Sequence, residues 1–129
     1  MERTDIHPWE WSKAVPYAQA VAVDRPQRIV YCSGQTAIGP DGEPPSTLDT
    51  VEQVEIAMRN LATVLGQAGM TLANVVKLTV FTTAIDDLFP NWSPVASRLA
   101  PNVPAATLIG ITRLVYPELK VEIEAVAVA

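Results

Sequence analysis

Apolar and polar positions divide this chain into short elements whose joints fall at prolines. Gln19 to Asp24 is a short apolar strand candidate. Arg28 to Gln35, rich in β-branched and aromatic residues, is a second. Between them Asp24-Arg25-Pro26-Gln27 reads as a turn, so the two strands predict a β-hairpin. Residues 39–49 (GPDGEPPSTLD) form a loop by composition. The period then changes. Thr50 with Gln53 fits a capping box, and Val54, Ala57, Met58, Leu61, Val64 and Leu65 recur at helical spacing up to a closing Gly69. Val75 to Thr83 reads as a strand with apolar residues on both faces, hence central. Asp86-Asp87 opens a second helix running to about Leu99, with Pro90 in its first turn and Pro94 predicting a kink. Ala106 to Arg113 and Leu119 to Val128 are two more strands. The order ββαβαββ predicts an α+β fold, a sheet with two helices on one face.

The last strand says most about the other face. Leu119, Val121, Ile123, Ala125 and Ala127 point one way; Lys120, Glu122, Glu124, Val126 and Val128 point the other. That second face starts charged and ends apolar, whereas a solvated face would be evenly polar. Val126 and Val128, joined by Val76, Leu78 and Val80 of the middle strand, predict an apolar surface that another copy covers, sheet against sheet.

Composition narrows the class. The 129 residues suit one domain, residues 1–129, with residues 1–16 as an irregular arm packed by Trp9 and Trp11. The single Cys32 excludes an internal disulfide and a paired-thiol metal site, and favours the cytoplasm. No signal peptide and no membrane-spanning apolar run is visible. The net charge is −5 and the lysines and arginines are scattered, so neither a nucleic acid nor a membrane is an expected partner.

Familiar catalytic signatures are missing. His7 is the one histidine, so no histidine metal cluster is expected. There is no Gly-rich phosphate loop, and Tyr31-Cys32-Ser33-Gly34-Gln35 is no nucleophile elbow. What remains are small polar groups at element ends: Tyr17 before the first strand, Ser33 closing the second, Asn91 near the second helix start, and Glu122 and Glu124 on the last strand. Each alone has a structural explanation, as packing group, turn residue, cap or solvated face.

Together, however, they fall within a longer ordered series. Tyr17-Ala18-Gln19-Ala20-Val21, Cys32-Ser33-Gly34-Gln35, Asn60-Leu61 and Ala68-Gly69 come first. Val75-Val76-Lys77-Leu78-Thr79-Val80-Phe81, Asp87-Leu88 with Asn91, Val103-Pro104-Ala105, and Val121-Glu122-Ile123-Glu124-Ala125-Val126-Ala127 follow. In order and rough spacing the chain resembles the RidA/YjgF family over about residues 15–129. The resemblance implies a chorismate-mutase-like α+β fold with a mixed sheet, and a homotrimer with a small-molecule pocket at each subunit interface. It also implies hydrolysis of reactive enamines and imines without metal or organic cofactor.

Carried over position by position, the family pattern implies Glu122 and Ser33 as catalytic residues, and Tyr17, Asn91, Ala106 and Leu108 as pocket residues. At one position the chain departs from it. The family's deaminating members hold the substrate carboxylate with an arginine just after the Pro-Ala pair; here Pro104-Ala105 is followed by Ala106, with Leu108 two further on. Alanine cannot fork a carboxylate. The expected function is therefore processing of reactive imines or enamines other than the typical 2-imino acids. The alternatives are a non-catalytic trimer that binds or senses a metabolite, and a ribonuclease or translation inhibitor. Acidic charge and the want of histidines weigh against the last.

Overall fold

A computed structural model describes residues 1–129, the side chain of Pro94 excepted. Its strands are β1 (Glu2–Ile6), β2 (Ala20–Asp24), β3 (Ile29–Gln35), β4 (Val75–Thr82), β5 (Ala105–Gly110) and β6 (Val121–Val128). Its α-helices are α1 (Thr50–Gln67), α2 (Ile85–Leu88) and α3 (Ser93–Leu99). The fold is α+β. Four strands form a mixed sheet in the order β3-β6-β4-β5, in which only β4 and β5 run parallel. The helices pack on one face of it.

Burial explains this arrangement. The apolar stripe of α1 puts Val54, Ala57, Met58, Leu61 and Leu65 onto Leu78, Val80, Val121, Ile123, Ala125 and Ala127 of the sheet. Leu88, Val95 and Leu99 extend the same core from the second helical segment. Each large aliphatic side chain so buried contributes about 1.5–3 kcal/mol. One face of the alternation read in the last strand holds: Leu119, Val121, Ile123, Ala125 and Ala127 are all buried. The other does not hold at its end, since Val128, expected on the open apolar surface, is 5% exposed where β6 finishes against Ile29 of β3. Gly69 closes α1 at φ +74°, with Met70 N–H donating to Leu65 O.

Several local expectations are corrected. The arm is not irregular throughout: residues 2–6 form β1, which takes β2 as its antiparallel partner. The β2–β3 hairpin does not form. Arg25 sits at φ 52° and Pro26 lacks an N–H, while Gln27 and Arg28 both donate to Ala129 O. The turn thus delivers β3 to β6 instead of folding it back on β2. The capping box at Thr50 is replaced by Asp49, whose carboxylate accepts from Glu52 N–H. The second helix is broken rather than kinked: α2, a 3₁₀ turn at Phe89–Asn91, then α3 with proline in its first turn. On β4, Leu78 and Val80 face the helices and are buried; register with Val126, Glu124 and Glu122 puts Lys77, Thr79 and Phe81 on the open face. A register shift between Val75 and Lys77 accounts for the reversal. β5 stops at Gly110, as β4 does at Thr82, to which Ile111 N–H donates.

Gln53, freed from capping, is fully buried. Its Nε2 donates to Thr47 O (3.0 Å) and Glu118 O (2.8 Å), and its Oε1 accepts from Lys120 N–H (2.7 Å). It ties α1 to the lead-in of β6. Gln53→Ala leaves those backbone groups without their partner and opens a void, and is expected to cost about 2–4 kcal/mol. Urea denaturation checks this; a loss below about 0.5 kcal/mol would mean that Gln53 does not hold these segments together.

Candidate functional site

The expected site residues fall into two groups on opposite sides of the sheet. Glu122 pairs with Phe81 on the open face. Ala106 pairs with Leu78, whose side chain is buried beneath the helices, so Ala106 and Leu108 point to the helix side. One chain does not bring these groups together.

The first group is Ser33, Gly34 and Glu122. The β3–β6 ladder passes from Cys32↔Ala125 to Gln35↔Ile123, three steps on β3 against two on β6. This bulge holds Ser33 and Gly34, with Ser33 exposed. Glu122 lies directly against Gly34: a Cβ there would come within 2.6 Å of Glu122 Cδ and 2.7 Å of Cγ. The missing side chain is what lets the carboxylate rest on the bulge beside Ser33.

The second group lines a cavity of 530 Å³ at the β5 edge, walled by Val15, Pro16 and Tyr17, by Phe89, Pro90 and Trp92, and by Ala106 and Leu108. Ala18 sets Tyr17 there, since it donates to Pro104 O and bridges to Ala105. No charged side chain lines this cavity among the described residues. Arg98 is engaged by Glu55, and Arg113 lies exposed beyond the end of β5. Asn91 is not in the wall; its Nδ2 donates to Asp87 O (2.7 Å), pinning the helix break whose neighbours Phe89, Pro90 and Trp92 form it. Sequence reading misses these three. The Phe-Pro-Asn-Trp run is their signal, hidden because its surroundings read as continuous helix.

Other candidates are accounted for. His7 Nδ1 donates to Ser12 O (3.0 Å), holding the arm in shape. Trp9 and Trp11 stack on each other, 5.5 Å between centroids, and both are exposed. Among the described residues no three His, Cys, Asp or Glu side chains converge as a metal site. Among the described residues no helix is long and apolar enough to cross a membrane.

The sequence profile described as "Endoribonuclease L-PSP" matches residues 10–129. The chain belongs to this family, also called RidA/YjgF. Among curated relatives, "Protein DfrA" of Myxococcus xanthus is 35% identical, covering 100% of this chain and 98% of that protein. Human "2-iminobutanoate/2-iminopropanoate deaminase" is 33% identical over 88% of this chain and 80% of its own. Among solved structures, the Rid family protein YyfB of Yersinia pestis superposes with a TM-score of 0.84 at 29% identity, over the whole of both chains. Rv2704 of Mycobacterium tuberculosis, a YjgF/YER057c/UK114 family member, gives 0.68 at 31%, over 99% and 100%.

Within this family frame, Cys32 beside Ser33 is a core residue and not a nucleophile. It is 7% exposed, and burial pushes its thiol up from the ordinary 9.0. The unfolded chain therefore loses this proton at lower pH than the folded chain. The associated stability is present below about pH 9 and is lost as pH rises through the unfolded value toward the folded one. Urea unfolding of wild type and Cys32→Ala between pH 8 and 10.5 should show the steeper decline in wild type; parallel profiles would contradict the assignment.

Proposed function

We propose that this RidA/YjgF member processes reactive imines or enamines that carry no carboxylate beside the reacting carbon, at sites completed between copies of the chain in a cytoplasmic homotrimer. The observation that carries the reading is the uncharged wall around Ala106, where the family resemblance places an arginine. Losing a bidentate charged contact costs roughly 2–5 kcal/mol, a factor of about 30 to several thousand in affinity. That disfavours the 2-imino acids named for the human relative.

The split site supports the oligomer. Ser33 and Glu122 lie on the sheet face that no helix covers, where Ile29 and Tyr31 are also exposed, Tyr31 by 77%. A second copy covering this face would bury Tyr31, Val126 and Phe81 beside the charged Lys77 and Glu124, and would bring its own Tyr17–Ala106–Leu108 cavity toward Glu122. In the reaction, Glu122 accepts a proton from water as the oxygen adds to the imine carbon, with Ser33 placing the water. Glu122 returns that proton to the nitrogen, the carbinolamine hydroxyl gives up the second as the C–N bond breaks, and a carbonyl compound and ammonia leave.

A binding protein without turnover is the second reading, favoured by the same apolar cavity. A ribonuclease is not supported: the one histidine serves the arm fold and the cations form no stripe. Ammonia release from freshly generated neutral imines and from 2-aminoacrylate separates the readings. We expect turnover of the former and weak turnover of the latter; equal rates would overturn the role of Ala106, and no turnover of any imine would favour the binder. Ala106→Arg is expected to raise 2-imino acid hydrolysis at least tenfold, about 1.4 kcal/mol of transition-state binding. An unchanged rate in an intact oligomer would count against the carried-over position.

A further inference from the structure

The Ala106 cavity has properties beyond its lack of charge. Its lining is rich in rings: Tyr17, Phe89 and Trp92 contribute aromatic ones, and Pro16 and Pro90 contribute pyrrolidines. Phe89 is 71% exposed within the single chain, an unusual position for a phenylalanine. Aromatic rings favour offset or edge-on packing against such groups, and a rigid ring loses little freedom on binding. At 530 Å³ and open to solvent on one side, the cavity has room for a ring.

One polar feature borders it. β5 is one of the two edge strands of the sheet, and beyond the bridge at Ala105 no strand pairs with its outer side among the described residues. Its free backbone groups near Leu108 can hydrogen-bond a single neutral nitrogen or oxygen at the end of an otherwise apolar molecule.

From these observations we infer that the cavity holds a neutral aromatic ring, so that the substrate class is an aryl-substituted ketimine or its enamine tautomer. This rests on the imine-processing reading and makes it more specific. The ring fills the space between Phe89, Trp92 and Leu108, and the C=N group lies toward the β5 edge, where water can reach the carbon. The reaction balances as simple hydrolysis: water supplies the carbonyl oxygen, its hydrogens go to nitrogen, and ammonia leaves with no change of oxidation state.

The test uses the full chain in its native assembly and three ketones as probes: acetophenone, phenylglyoxylate (the same ring bearing a carboxylate) and acetone (no ring). Binding is followed by NMR at the indole N–H of Trp92, assigned with Trp92→Phe. Acetophenone should bind at least tenfold more tightly than either other probe. Ala96→Phe, which fills the cavity from α3, should abolish that binding at an unchanged melting temperature. Phe89→Ala, at an exposed position, should weaken it several-fold. Equal or tighter binding of phenylglyoxylate or acetone would overturn the inference. So would perturbation confined to the exposed Trp9–Trp11 pair. Neutral aliphatic imines hydrolysed without acetophenone binding would overturn the ring and leave the imine-processing reading standing. Acetophenone binding without turnover of any imine would support the ring and sink the hydrolase.

Discussion

The packing of one amphipathic helix across one sheet face is the constraint on which the rest of this protein depends. α1 lays Ala57, Met58, Leu61 and Leu65 over Ile123, Ala125 and Val121, all essentially without solvent exposure. Because β6 lies between β3 and β4, that contact also fixes both neighbours in register. Gln53 adds a polar tie at the helix start, and Arg28 donates to Ala68 O at its end (2.7 Å). A one-residue slip of β6 would send Val121, Ile123, Ala125 and Ala127 to the open face.

One-sided cover has a direct consequence for chemistry. Alternation along a strand forces neighbouring residues to opposite faces, so the residues that the family pattern singles out separate into two groups within one chain. Glu122 and Ser33 lie on the open face and bulge, while Ala106 and Leu108 lie under the helices at the sheet edge. The break at Phe89–Asn91, which interrupts the second helix, turns Phe89 and Trp92 into the wall of that edge cavity. Helix-breaking chemistry and pocket shape are one feature in this protein.

Legibility in the sequence follows range. The stripe of α1, the alternation of β6 and the glycine that closes α1 are repeated or local patterns, and each is readable because many residues report the same burial. Strand partners are not. β2 and β3 carry sound local signals for a hairpin, yet β2 pairs with residues 2–6 and β3 with the last strand. Pairing is decided by where Ala129 and Ile6 offer backbone groups, far from either turn in sequence. Simple alternation puts Leu78 and Val80 on the wrong face because a single register shift near Val76 inverts it.

Motif order and apolar periodicity are readable without knowledge of contacts, and they carry the family, the α+β class and the plain fact that Ala106 follows the Pro104-Ala105 pair. What surrounds Ala106 is settled in three dimensions. An alanine is merely small until Tyr17, Phe89 and Trp92, drawn from two distant segments, line one open cavity with it and no charged side chain. That lining is a product of long-range packing, which no local pattern in the chain reports.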